Sequence, residues 1–250
     1  MVSFTVCIPC VDKHIERMKR LLHSFEKYSV KPDKVIASLS PRYLNLDLTE
    51  EKRRLEKIFP FLMCIVQEKI THAASNLNAT FEHVETDYVV IWGADDFFHP
   101  QYFEVMNYVI EKYNPNVIGH FWDDELTKRV YFNPELAYNF DVFDKIELDK
   151  IIVYTDLYLI YVRDHKGETI MRFCERNKGF LPNFHYGMQT FKTHIIKENK
   201  YKVGPEYEYR CDTLFITEMA QKYGNACIVA ENLVEYMPTW TYSIKPTWST

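Results

Sequence analysis

The chain has 250 residues, 47% of them hydrophobic and 26% charged, the proportions of one large globular domain and not of a disordered or fibrous chain. A formal charge of −5 argues against the basic face that nucleic-acid binding requires, and runs such as Lys19-Arg20 and Lys52-Arg53-Arg54 alternate with Glu as solvated helix faces do. No segment reaches the roughly 18 apolar residues of a membrane span, and six scattered cysteines without a secreted-type framework point to a reducing cytoplasm.

The first two-thirds alternate strand and helix. Phe4 to Ile8 is a short apolar run stopped by Pro9, which reads as a buried parallel strand and lacks the flanks of a signal peptide. Ile15, Met18, Leu21, Leu22, Phe25 and Tyr28 recur every three or four residues, one face of a helix. Lys34 to Leu39 reads as a second strand. Thr49 is placed to cap a helix that carries Glu50 and Glu51 in its first turn. Leu62 to Val66 is a third strand, and Leu77, Phe81 and Val84 mark a further helix.

Tyr88 to Trp92 is the clearest strand and runs into Gly93-Ala94-Asp95-Asp96; Pro100 then opens a helix through Tyr113. Val117 to Phe121 is another strand. This alternation predicts an α/β fold, a mostly parallel central sheet flanked by helices, with a mixed α+β C-terminal region. Beyond residue 125, Leu157 to Val162 and Glu168 to Phe173 flank Asp164-His165-Lys166-Gly167 as a hairpin. Met188, Phe191 and Ile195 suggest a helix, and Leu214 to Tyr223 another, closed by Gly224. With seven glycines and no linker, residues 1–250 read as one domain, and Glu231 to Thr250 shows no clear pattern.

Asp95 and Asp96 end a buried strand, where open α/β sheets bind ligands. Adjacent acids repel each other and call for a cation, and a hard ion such as Mg²⁺ or Mn²⁺ takes oxygen ligands. A helix cap is the alternative for the pair. The stretch Ala73-Ala74-Ser75-Asn76-Leu77-Asn78-Ala79, then Thr86 through Asp96, then Pro100, resembles the family-2 type of GT-A glycosyltransferase. That family has an "ARN"-like helix start before a "GDYI-x-x-LDADD-x-x-x-P" segment, and Val6-Cys7-Ile8-Pro9-Cys10 is similar to its opening strand. The resemblance covers residues 3–105.

That resemblance implies a GT-A fold with residues 1–125 as the nucleotide-sugar half and 126–250 as the acceptor half. It implies that Pro9, Cys10 and Val11 touch the nucleotide base and that Asn76 lies near the donor. Ser38, Ser40, Gly93 and Ala94 complete the donor-binding set. Asp95 is placed near ribose or metal, and Asp96 on the metal, Mn²⁺ or Mg²⁺. Gly93 stands where the family has an acid, Ser75 where it has a basic residue, and Ser38-Leu39-Ser40 where an acid often reads the base. Arg210-Cys211-Asp212-Thr213-Leu214 resembles the family's "ED-x-x-L" segment, with Asp212 as the general base of an inverting transfer. An N-cap is the alternative for Asp212, and Asp123-Asp124-Glu125 is a rival source of the base.

The expected activity is transfer of a sugar from a nucleotide sugar, UDP-sugar favoured, to a glycan or glycosylated acceptor. A degenerate sugar- or nucleotide-binding module is the non-enzymatic alternative, and a nucleotidyltransferase the other enzymatic one, although Pro9 to Lys13 has no glycine to cradle a triphosphate. Cys7-x-x-Cys10 offers a redox reading, His185 and His194 an extra metal ligand, and Trp122, Tyr186, Tyr207, Tyr209 and Trp240 sugar-stacking surfaces.

Overall fold

In the computed structural model, which describes residues 2–121, 144–163, 167, 169–181, 189–204, 207 and 211–235, the first apolar run forms β1 (Phe4–Val11). It continues through Pro9, further than the sequence suggests. The ladder toward the next strand on one side ends at Cys7, so a proline without an N–H is accommodated beyond that point. Helix α1 (Ile15–Ser24) follows, and Ile15, Met18, Leu21 and Leu22 are all buried along one stripe. Burying four such side chains contributes roughly 6–12 kcal/mol before chain entropy is counted.

Next come β2 (Lys34–Ser40), α2 (Leu48–Ile58), β3 (Leu62–Val66), α3 (Ala73–Phe81), β4 (Tyr88–Ile91), β5 (Phe97–Phe98), α4 (Tyr102–Tyr113) and β6 (Val117–Phe121). The cap of α2 is Asp47, not Thr49: its carboxylate accepts the N–H groups of Thr49 and Glu50 at 2.9 and 3.0 Å. Pro100 stands outside α4, whose N-cap is Gln101, and His99 Nδ1 accepts the Gln101 N–H. Asp95 and Asp96 therefore do not cap this helix.

After residue 143 the described chain gives β7 (Val153–Tyr154), β8 (Leu157–Arg163), β9 (Thr169–Glu175), β10 (Gly179–Phe180), β11 (Gln189–Lys192), α5 (Thr193–Glu198), α6 (Cys211–Tyr223), β12 (Ala226–Asn232) and β13 (Val234–Glu235). Strands β8 and β9 are antiparallel neighbours, as the hairpin reading requires, with Arg163 opposite Thr169; three of the four proposed turn residues, 164–166, lie outside the described residues. The helix expected around Phe191 is instead a strand followed by a short helix. Phe191 sits opposite Val89 and Val117, fully buried between two strands, and pairing there overrides the local spacing. Gly224, at φ 61°, ends α6, and its N–H reaches the Ala220 carbonyl, as predicted.

Eight strands form the central sheet in the order β3-β2-β1-β4-β11-β6-β12-β7. Pairs β1–β2, β1–β4, β2–β3 and β6–β12 are parallel, whereas β11 runs antiparallel between β4 and β6. Alternate residues of each strand face opposite layers. Val6, Ile8, Val35, Leu39, Val90 and Trp92 pack under α1, α2 and α4. Cys7, Ile36, Val89, Ile91 and Phe191 pack under α3, α5 and α6. This is the α/β architecture expected from the sequence. Past β12 the chain returns to the β4–α4 connection: the His99 N–H bonds the Leu233 carbonyl, and β13 pairs with β5.

Candidate functional site

The carboxyl ends of β1, β2 and β4 open on one side of the sheet. There Asp12, immediately after β1, is 2% exposed, and its carboxylate accepts the N–H groups of Arg42, Tyr43 and Leu44 from the loop after β2, at 2.7–3.0 Å, as well as that of Lys13. Burial works to raise its pKa, but these four donors outweigh it and hold the carboxyl below its ordinary value. The clamp fixes Tyr43, whose ring faces Lys13 Nζ at 4.0 Å and the Arg42 guanidinium at 5.3 Å. Sequence reading passed over Asp12, because its partners lie about thirty residues on.

The acids at the end of β4 occupy separate environments. Asp95 places one oxygen, Oδ2, beside Arg17 Nη1 (3.2 Å), from the first turn of α1, and His14 Nδ1 (3.5 Å), from the segment that leads β1 into it. Burial first of all lowers the pKa of His14, so at neutral pH the cation on Asp95 is Arg17. Asp96 is 5% exposed and folds back over Gly93. A Cβ at position 93 would overlap Asp96 Oδ2 and stand 3.1 Å from its Cγ, while Asp95 Oδ1 lies 3.7 Å from the same point. Gly93 is thus required by the close approach of Asp96, and an acid there would displace it.

One oxygen from each acid thus lies within 4 Å of the same point beside Gly93. That pair suits a hard divalent ion whose other ligands are diphosphate oxygens and water. Among the described residues no group of three or more His, Cys, Asp and Glu stands ready to hold a metal ion, so a pair such as Asp95 and Asp96 could bind one only with further ligands from a donor or water.

Ser38, Ser40 and Asn76 come together, but inward. Asn76 Oδ1 accepts from Thr71 Oγ1 (2.5 Å) and Ser38 Oγ (3.2 Å); Ser38 accepts from Gln67, and Ser40 lies 3.1 Å from Thr71. All three are at most 1% exposed, so they fasten the β2 and β3 ends to the start of α3. Cys10 and Ala94 are likewise buried, whereas Pro9, Val11, Gly93 and Asp95 are partly exposed at the opening.

Asp212 is the second residue of α6, in its first turn and not at the N-cap, and it accepts the Thr213 N–H at 2.6 Å. Burial pushes its carboxyl up, against that hydrogen bond and the Arg172 charge. One turn on, Phe215 stacks on Tyr201 at 4.1 Å and 15°. The Tyr201 hydroxyl is buried without a hydrogen-bond partner among the described residues, and Asp212 is the charge that acts on it most strongly. Gln189, opposite Ile91 on the same face of the sheet, is fully buried, and neither of its carboxamide atoms has a partner among the described residues. Neither residue was singled out by sequence spacing, since nothing local marks a buried polar atom that lacks a partner.

The rival Asp123-Asp124-Glu125 lies outside the described residues, as do His185, Trp122, Tyr186, Tyr209 and Trp240. His194, on α5, packs its ring on Tyr223, toward the opposite end of the sheet from the acids, and Tyr207 lies beside Lys202. Cys7 and Cys10 face opposite layers, as residues three apart on a strand must, and burial lifts the Cys7 thiol to about 12; a disulfide between them is excluded.

The family model for glycosyl transferase family 2 matches residues 5–164. Among solved structures, S. aureus TarS 1-349 is similar over 94% of this chain and 60% of its own length, at TM-score 0.62 and 12% identity. A structure of the same TarS portion in complex with UDP-GlcNAc gives TM-score 0.60 and 12% identity over 94% of this chain and 58% of that one. The mannosyltransferase PcManGT from Pyrobaculum calidifontis, in complex with GDP-Man and Mn²⁺, gives TM-score 0.55 and 14% identity over 92% and 57%. No curated protein sequence matches the chain. The chain spans about 60% of the length of these structures, and at such identities the likeness shows the shared GT-A fold.

Proposed function

This chain belongs to glycosyl transferase family 2, and we propose that it moves a sugar from a nucleoside-diphosphate donor to the hydroxyl of a glycan or glycosylated acceptor, with inversion. The observation that carries the reading is the pair of carboxylate oxygens, one each from Asp95 and Asp96, within 4 Å of one point beside Gly93 at the carboxyl end of a central strand. A divalent ion bound there, Mn²⁺ or Mg²⁺, supplies Lewis-acid neutralisation of the diphosphate leaving group. Pro9, Val11 and Gly93 line the donor side, with the buried Cys10 and Ala94 behind them, and Ser38, Ser40 and Asn76 hold its floor. A UDP-sugar is the favoured donor class, in keeping with the UDP-GlcNAc held by TarS.

Asp212 serves as general base. Its carboxylate takes the proton of the acceptor hydroxyl as that oxygen bonds the anomeric carbon and the sugar–phosphate bond breaks. A carboxyl held above its ordinary pKa is the better base for this step. Residues from 126 on shape the acceptor side. All six cysteines are free thiols, five of them buried, which suits the reducing cytoplasm proposed as the compartment, and no described helix is long and apolar enough to cross a membrane.

The loss of an acid at Gly93 favours one second reading, a module that binds the donor without turning it over. A thermal-shift screen of UDP-, GDP-, CMP- and dTDP-sugars with and without Mn²⁺ tests both. Binding at a hundredfold excess over Kd stabilises the fold by about 2.7 kcal/mol. A metal-dependent shift with one nucleotide, lost in Asp95→Ala, and donor hydrolysis or transfer lost in Asp212→Asn support the transferase. A shift without turnover supports the binding module, and no shift with any donor overturns the donor site.

A further inference from the structure

The Asp95 carboxylate faces two ways. Its Oδ1 lies on the Gly93 side, 3.7 Å from the point that Asp96 Oδ2 also approaches, and its Oδ2 is held by Arg17 Nη1 at 3.2 Å. Both side chains of that pair are largely shielded, 17% and 13% exposed, so the contact is stronger than an ordinary surface pair. Arg17 reaches the acid across 78 residues of sequence, from the first turn of the helix that leaves β1 at the ligand-binding edge of the sheet. A guanidinium fits a carboxylate and a phosphate through the same planar fork of donors.

Resting on the donor-site reading above, we propose that Arg17 is an exchangeable counter-ion: it holds Asp95 while no divalent ion is bound, and turns to the donor diphosphate when Asp95 serves the ion. The ionic chemistry suits the exchange: a divalent ion that takes over Asp95 leaves the guanidinium without that anion, and the diphosphate brings two negative charges to which the same fork of donors can turn.

The exchange makes two affinities move in opposite directions, which general damage to the fold cannot mimic. Arg17→Met keeps the apolar stem and removes the charge. Titration calorimetry of the full chain with Mn²⁺ alone, and then with UDP and GDP each at saturating Mn²⁺, reads both affinities. Mn²⁺ alone is expected to bind Arg17→Met about 3- to 10-fold more tightly, because its competitor for Asp95 is gone, and the nucleoside diphosphate about 10- to 100-fold more weakly, the usual range for a lost charged hydrogen bond. Arg17→Lys, which keeps the charge without the fork, recovers part of the diphosphate affinity. Should Arg17→Met fail to fold, Arg17→Gln carries the same two measurements.

Weaker or unchanged Mn²⁺ binding in the variant, or unchanged diphosphate binding, overturns the proposal while leaving the donor site standing. A wild type that binds UDP or GDP equally well without metal, and loses that binding in Arg17→Met, also overturns it, because Arg17 would then be a fixed phosphate ligand. A wild type that binds neither Mn²⁺ nor nucleoside diphosphate removes the donor-site reading as well.

Discussion

Replacing Gly93 with alanine adds a single methyl group at the most crowded point of the site. The backbone is not the obstacle, since Gly93 is not among the glycines with positive φ. The obstacle is Asp96: the new Cβ overlaps its Oδ2 and stands 3.1 Å from its Cγ, so the carboxylate must retreat by about 1 Å or more to reach ordinary contact. At 5% exposure Asp96 has little room to turn, and its own backbone carbonyl is tied to Trp92 Nε1 at 3.3 Å. Overpacking of this kind costs about 1–3 kcal/mol. At about 2–4 °C per kcal/mol for a chain of this size, Tm falls by roughly 2–12 °C. In an Asp96→Ala background the same change meets only Asp95 Oδ1, in ordinary contact at 3.7 Å, and costs under about 0.5 kcal/mol, so a double-mutant cycle by urea denaturation should show a coupling of about 0.5–3 kcal/mol. Equal costs in the two backgrounds would refute the reasoning, because the crowding would then lie elsewhere.

Three other outcomes follow from the geometry. In Asp212→Asn, kcat falls about 10²- to 10⁴-fold while the protein gains about 0.5–2 kcal/mol. The sign comes from the raised pKa: a folded value above the unfolded one favours the protonated form, so the stability Asp212 supplies is present below the unfolded pKa and lost as pH rises through the folded one. For the same reason, the acid limb of the wild-type pH–rate profile sits above the ordinary carboxylate range. Asp12→Ala costs about 2–4 kcal/mol at pH 7, measured by urea denaturation, because it leaves buried N–H groups without an acceptor. Its pKa is held down, so its contribution exists above the unfolded pKa and is lost as pH falls through the folded value; the gap to wild type should narrow as the pH drops below the ordinary carboxylate range. Asn76→Ala leaves Ser38 and Thr71 facing an empty position and lowers stability by about 1–3 kcal/mol, with a smaller effect on donor affinity than Asp95→Ala.

What could be read ahead of the structure was local. The stripe from Ile15 to Leu22 and the apolar runs at Val35 and Val89 carry their own periodicity, and the acids follow the strongest strand directly. What could not be read depends on distance along the chain. Arg17 meets Asp95 across 78 residues, and Asp12 meets the Arg42–Leu44 backbone across about thirty. Met188, Phe191 and Ile195 carry a helix-like spacing of apolar side chains, yet two ready-made strand edges capture residues 189–192. The Thr49 cap lost to Asp47 for a nearer reason: a carboxylate one residue before the first helical position is the stronger acceptor for the open N–H groups.

The placement of β11 governs the order in which this protein can assemble. Residues 2–121 contain β1 to β6 and nearly every donor-side group, but β4 and β6 are not neighbours; a slot one strand wide lies between them until Gln189–Lys192 fill it. On the ribosome, nearly seventy further residues must emerge after β6 before that slot closes. During that interval two apolar strand edges, at Val89–Ile91 and Val117–Ile118, are open to any other extended chain. The nascent protein thus passes through a stage when its donor half is synthesised but its sheet is incomplete, and chaperone capture or mispairing is to be expected there. A fragment that ends soon after Phe121 inherits the same open centre and is a poor choice as a stand-alone donor-binding domain.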